Sequence, residues 1–510
     1  MFETFMARIK DPDRKRAFWT LVTAKLLGVA ALVLLIKGIS WYFATPALAD
    51  DAAAAPPAYV NPLNTLWVLV ASFLVFFMQA GFMALEAGFA RTRETVNILL
   101  EGIVDTCLCG ILFWAWGFAF MFGAGNGFIG HQYFFLHGAP DTYGGTGVAF
   151  LAFFLFQFAF ADTCSTITSG AMVGRTGFVG DLLYSFGVSG FIYPIIGHWA
   201  WGPDGWLNTI KPAAFHDFAG STVVHTIGGF VALTGAMALG PRLGRKFKRD
   251  GGGMPPGHDM TIAAIGGVIL WFGWYGFNPG STLSAMDMQG CGRVAANTTL
   301  AACAGGLSTL FYVYPRNKVW DCGMTVNGFL AGLVAITCPC YWVSPLGSIL
   351  IGAIAGVVVA LAVDLMEWLR VDDPVGAVAV HGFCGIWGTL SLGLFATGEF
   401  GAAGPLGADN SAAMAVTGLF YGGGSAQLIA QVIGSAAVTA ATFGAGMILM
   451  YSVKATGTLR IKREHELEGL DISEHGGPAY PELLGGGSSH GYHSPDAPTS
   501  APSGATVPAK

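Results

Sequence analysis

The chain has 510 residues, 53% of them hydrophobic and only 11% charged, with 74 glycines and a formal net charge of -6. Soluble globular domains carry about a quarter charged residues, so this composition excludes one and points to a membrane protein. A lipid-spanning β-barrel is excluded too, because it would alternate polarity along each strand, whereas Leu66 to Phe82 and Ile351 to Val363 are apolar on every face.

Residues 1–49 read as a secretory signal. Arg14, Lys15 and Arg16 precede the apolar run Leu26 to Ile36, and Ala47-Leu48-Ala49 supplies a small-residue cleavage site. Lys37 interrupts a long spacer, so an uncleaved extra helix is the alternative. Residues 50–62 follow as an extracytoplasmic segment. Apolar runs of about twenty residues, the length that crosses a bilayer, then recur to residue 455. They predict helices near 63–90, 98–122, 148–174, 183–201, 218–239, 261–285, 293–314, 325–342, 347–369, 375–397 and 427–455. The expectation is an all-α polytopic fold of eleven transmembrane helices within 63–455, or twelve if the leader stays.

Lys and Arg in the connecting loops set the orientation. Odd-numbered loops carry Arg91, Arg93, Arg175, Arg242, Arg245, Lys246, Lys248, Arg249, Arg316, Lys318 and Arg370, while even-numbered loops carry Lys211 and Arg293. The odd loops are therefore cytoplasmic, the amino terminus lies outside and the tail beyond 455 lies inside. Among the nine cysteines, Cys338, Cys340 and Cys291 fall in outward loops where an oxidising compartment could pair them. Cys107, Cys164, Cys303 and Cys384 read as small packing residues. No metal site is expected, since Cys338-Pro339-Cys340 has no second pair or histidines at ligand spacing.

Laid on itself, the chain repeats. Asp217-Phe218-Ala219-Gly220-Ser221-Thr222-Val223-Val224-His225 aligns with Asp373-Pro374-Val375-Gly376-Ala377-Val378-Ala379-Val380-His381, with Asp, Gly, Val and His in register. The two segments open the fifth and tenth helices, which enter the membrane from opposite sides. Helices 1–5 and 6–10 are thus expected to form two inverted repeats, with the functional site near the midplane at their interface. Eight residues of helix rise about 12 Å, so each aspartate sits near its own surface and each histidine near the bilayer centre. One buried histidine would usually just bond a neighbouring helix, but two at symmetric positions point to a pathway. Asp217 and Asp373 can cap helix N-termini. Gly220, Gly228, Gly229, Gly235, Gly352 and Gly356 read as close-packing residues.

These motifs resemble the ammonium transporter family, which includes the Rhesus proteins, over roughly residues 60–480. The Asp217 to His225 segment is similar to the family's fifth-helix signature and His381-Gly382-Phe383-Cys384-Gly385-Ile386-Trp387-Gly388 to its tenth. Trp271-Phe272-Gly273-Trp274-Tyr275-Gly276-Phe277-Asn278-Pro279-Gly280-Ser281 matches the sixth, and Phe156-Gln157-Phe158-Ala159-Phe160 the third. The resemblance implies a homotrimer of independent pores in a bacterial inner membrane, with no cofactor. It implies an outer recruitment site of Trp201, Phe160 and Ser281, a gate of Phe160 and Phe277, and a pore pair of His225 and His381. Asp217 would be the buried carboxylate that supports the recruitment site. Such a site suits a cation that donates four hydrogen bonds, whereas two phenyl rings cannot replace a hydration shell, so the species that passes would be neutral ammonia. Whether the imidazole pair also relays the proton stays open at this point, although the resemblance implies net charge transfer. Glu86, near the end of helix 1, is expected to pair with a neighbouring polar group.

Residues 456–484 read as a cytoplasmic tail. Glu468-Gly469-Leu470-Asp471-Ile472-Ser473-Glu474-His475-Gly476 resembles the family's regulatory segment, which implies a PII-type signalling protein as a partner. Residues 485–510, rich in Gly, Ser and Pro, are expected to be disordered. Nothing suggests a nucleic-acid partner. Competing readings are a Rhesus-type gas channel and an ammonium sensor. An enzyme fits worst, with no nucleophile–base pair or phosphate-binding loop outside the membrane.

Overall fold

The computed structural model describes residues 58–401 and 415–481. The expected signal segment 1–49, residues 50–57 and the Gly/Ser/Pro-rich segment 485–510 lie outside the described residues. Ten described helices are long and apolar enough to cross a membrane. They are α1 (Val60–Phe89), α2 (Thr92–Phe122), α3 (Phe150–Gly170), α4 (Phe178–Thr209), α5 (Ser221–Leu239), α6 (Met260–Thr282), α7 (Met288–Asn317), α9 (Pro345–Leu369), α10 (Val378–Phe395) and α11 (Ala426–Ala455). Between α7 and α9 lies α8 (Cys322–Thr337), which is apolar but has only 16 residues. At 1.5 Å per residue that is about 24 Å, short of a hydrocarbon core of about 30 Å. Two short helices, α12 (Arg463–Glu468) and α13 (Leu470–His475), follow in the tail.

Burial is inverted relative to a soluble protein. Phe73, Ile111, Leu151, Phe311 and Ile448 are exposed on the outside, while Gln157, Asn297, Thr298 and Gln431 are buried inside. Lipid rewards an apolar exterior and forces polar side chains to find partners within the bundle. Asn297 does so by donating to the carbonyls of Cys340 and Val343 at 2.9 and 2.8 Å.

Glycine sets how near the helices come. α1 packs lengthwise on α6, where a Cβ on Gly276 would meet the carbonyl of Ala71 at 2.5 Å. The expected packing glycines behave alike: Gly228 abuts Cys164 and Ile167, Gly229 abuts Gly382, and Gly352 abuts Ala301.

The expected helix 4 is longer than its apolar run, Phe178–Thr209 against 183–201, and contains a π turn at Val188–Ile192. Pro194 explains the local rearrangement. It has no N–H to give the carbonyl four residues back, Gly190, and that carbonyl accepts instead from the Trp116 indole of α2 at 3.0 Å.

The cysteines are free thiols. Cys338 and Cys340 are buried and donate to the carbonyls of His216 and Thr337 at 3.3 and 3.5 Å. Cys164 and Cys384 are buried as expected of packing residues. Cys107 and Cys303 are exposed, which corrects the packing expectation for that pair: their side chains project from the outer faces of α2 and α7.

Candidate functional site

The aspartate–histidine repeat folds the same way twice. Asp217 Oδ1 accepts the N–H groups of Gly220 and Ser221 at 2.9 and 3.0 Å, and Oδ2 those of Thr222 and Val223 at 2.8 and 2.9 Å. Asp373 accepts from Ala377 and Val378, both at 2.9 Å. Each carboxylate thus takes up N–H groups that a helix start leaves without partners. For the chain to double back onto its own aspartate, the residue three positions on takes a positive φ: +118° at Gly220 and +83° at Gly376. Only glycine does this without steric cost.

Beyond each cap the helix opens with a π turn, Ser221–Thr226 and Val378–Phe383, and each turn contains the repeat's histidine. A π turn inserts one residue and re-aims the side chains within it. His225 and His381, 0% and 6% exposed, face each other with Nδ1 to Nδ1 at 3.1 Å and ring centroids 5.2 Å apart. A neutral imidazole carries one N–H, so one ring donates across this contact and the other accepts. His225 Nε2 is buried without a hydrogen-bond partner.

On one side of this pair stands an aromatic stack. Phe277 of α6 lies 5.5 Å from His225, nearly parallel to it, and Phe160 of α3 lies 4.0 Å from Phe277 with 21° between their planes. Trp201 of α4 meets Phe160 edge-on at 6.0 Å. Its indole donates to the main-chain carbonyl of Asp217 at 2.8 Å, so the residue that caps α5 also fixes the tryptophan. Ser281 Oγ donates to the Phe277 carbonyl at 2.8 Å, which leaves its lone pairs as acceptors. Trp201, Phe160, Phe277, His225 and His381 therefore form one continuous run, and Ser281 joins it through Phe277.

Beyond His381 lies a cavity of about 20 Å³, room for one water-sized molecule, lined by Phe82, Glu86, Asn327, Leu330, Val380 and His381. Glu86 accepts from Ser169 Oγ at 3.0 Å, the polar pairing expected for it. Sequence reasoning assigned no role to Trp274, whose indole stacks on His225 at 5.2 Å and donates to Thr337 at 2.8 Å. The signal was available: Trp274 sits three residues before Phe277, on the same helix face. Asn327 gave no such signal.

At the opposite end of the bundle from Trp201, Asp372 gathers Arg242 and Arg245, accepting from the Arg242 guanidinium at 2.9 Å on each carboxylate oxygen. Burial alone would raise this carboxyl, but Arg175 and Arg242 outweigh it and hold it well below the usual carboxylate range. The tail packs here. Glu466 accepts from the Leu243 N–H at 2.6 Å, and Asp471 accepts from the N–H groups of Thr95 and Asn97 at 3.1 and 2.9 Å. His475 Nε2 lies 2.8 Å from Asn97 Oδ1.

The profile described as Ammonium Transporter Family matches residues 66–480. Ammonium transporter Amt2 of Archaeoglobus fulgidus is 44% identical over 432 residues, covering 83% of this chain and 89% of that protein. Ammonium transporter 1 member 3 of Solanum lycopersicum is 39% identical over 445 residues, covering 82% and 93%. Among solved structures, one titled Sensor Amt Protein superposes with a TM-score of 0.72 at 37% identity, covering 82% of this chain and 99% of its own. The Mep2 structure from Candida albicans gives 0.70 at 29%, covering 79% and 87%.

Proposed function

The chain belongs to the Ammonium Transporter Family, and on that premise we propose that it conducts ammonia through the run from Trp201 to His381 and takes up ammonium across a cytoplasmic membrane. Ammonium binds at the outer mouth, where the faces of Trp201 and Phe160 attract the cation and Ser281 accepts one of its hydrogen bonds. It gives up a proton there. Ammonia then passes Phe160 and Phe277, where a charged ion would lose its hydration with nothing to replace it. The imidazole pair offers a polar donor and acceptor in an otherwise greasy channel, and the proton crosses by relay, giving net charge transfer. Ammonia regains a proton at the cytoplasmic end. Potassium has no proton to surrender, so it is rejected.

The observation that carries the reading is the buried imidazole pair at 3.1 Å placed directly behind the stacked phenyl rings. Two inverted five-helix repeats are supported by the paired aspartate caps, positive-φ glycines and π turns of α5 and α10. The pairings α1 with α3 and α2 with α4 also have counterparts in α6 with α8 and α7 with α9. In this reading α8 is an eleventh span, the amino terminus is outside and the tail cytoplasmic. Three copies assemble as independent pores, and a PII-type protein binds near the docked tail.

The test is reconstituted protein on a supported membrane, recording current after an ammonium pulse with potassium as control. Current with ammonium and none with potassium is expected. Ammonia flux without current would make this a gas channel instead. H225A should impair transport or admit potassium while still assembling; unchanged conduction and selectivity would remove the histidine pair from the mechanism.

A further inference from the structure

A second polar assembly lies in a different helix interface from the aromatic and histidine run. Asn97, Glu101 and Asp105 recur every fourth residue on α2, and Asp181, Ser185 and Ser189 do so on α4. That spacing puts each set on one helix face, and the two helices pack together. All six residues are 3% exposed or less. Asp162 of α3, at 2%, adds a fourth carboxyl and accepts from Thr106 at 3.1 Å.

The assembly has more acceptor oxygens than the donors it holds, among them the Tyr184 hydroxyl on Asp181, can serve. Both carboxylate oxygens of Asp105, one each of Asp162 and Asp181, and the hydroxyls of Ser185 and Ser189 are buried without a hydrogen-bond partner. Among the described residues no lysine or arginine forms an ion pair with any of the four carboxyls, and none of these groups has the arrangement of a metal site. Each buried polar atom left unmatched destabilises the fold, and like charges in a low-dielectric interface repel strongly. What the interface lacks is positive charge carried on hydrogen-bond donors.

We propose that the α2–α4 interface is a second site, off the pore, for a small cation that donates hydrogen bonds: a hydrated proton or an ammonium ion. Its entrance is cytoplasmic. Asn97 donates to Glu101 at 2.7 Å and faces His475 of the tail at 2.8 Å, so two hydrogen bonds separate the tail from the first carboxyl.

Infrared difference spectroscopy on the full chain in lipid tests this, comparing the native protein with D105N/D181N. A broad infrared continuum that shifts in deuterium oxide and disappears in the double variant identifies the hydrated proton. An N–H bending band that shifts with 15N-ammonium and disappears likewise identifies ammonium. Either is the expected result; a difference spectrum with neither band overturns the proposal. S185A, a gentler change that keeps every carboxyl, should displace the same band, and an unmoved band in a folded S185A protein also overturns it. H225A should retain the band, so failure of the pore mechanism and failure of this site are told apart.

Discussion

Trp201 shows how much one hydrogen bond decides at the residue scale. Its indole donation to the Asp217 carbonyl holds the aromatic face that meets Phe160, and a neutral hydrogen bond contributes about 1 kcal/mol. Replacing Trp201 by Phe keeps an aromatic face but not the anchor. Half-saturation for ammonium in the current assay should rise about fivefold, the equivalent of ~1 kcal/mol, with maximal current little changed. Asp217→Asn is harsher, because an amide offers one acceptor oxygen where the carboxylate serves four N–H groups with two. Leaving two buried N–H groups unmatched is destabilising by roughly 2–6 kcal/mol, and a lowered melting temperature of the purified protein is the expected readout. Asp217 was legible in the sequence through its motif and Trp201 through the family resemblance; that the Asp217 main chain, rather than its carboxylate, holds Trp201 was not, since a backbone carbonyl leaves no compositional trace.

Elements are where hydropathy succeeded and then stopped. It placed α1, α3, α5, α6 and α9 to α11 to within a few residues of Val60–Phe89, Phe150–Gly170, Ser221–Leu239, Met260–Thr282, Pro345–Leu369, Val378–Phe395 and Ala426–Ala455, because an apolar run long enough to span lipid has few other conformations. It started α2 at 98, whereas the helix begins at Thr92. Asp471, more than three hundred residues away, supplies the missing cap to Thr95 and Asn97, and no local pattern can announce a donor–acceptor match at that distance. The loops after α5 and α9 are held similarly by Asp372 with Arg242 and Arg245. Asp372→Asn would strand the largely buried Arg242 guanidinium and leave Arg245 with Glu367 as its remaining carboxylate, a loss of about 3–5 kcal/mol. Limited proteolysis should then cut between residues 240 and 259 sooner than in the native protein.

For the whole molecule, the tail is the part whose docking answers to pH. Burial lowers the affinity of His475 for its proton relative to its ordinary 6.5. The folded value is below the unfolded one, so the unfolded tail binds protons first as pH falls. Docking stability is therefore complete above about 6.5 and declines as pH drops through that value toward the lower folded one. Hydrogen exchange of residues 463–476 should quicken on acidification across this window, and His475→Gln should flatten the dependence.

Sequence by itself determined the membrane environment, the family and the identity of the residues that make the stack and the imidazole pair, because each follows from composition or from motifs contiguous along the chain. Tertiary structure alone decided that Trp201, Phe160, Phe277, His225 and His381 form one run, that Trp274 backs it, and that a tail aspartate starts α2. It also set the polar stripes of α2 and α4 against each other. The physical reason is common to all of these. In lipid every buried polar group must be matched inside the protein, and the partner that matches it is chosen by helix packing rather than by neighbours in sequence.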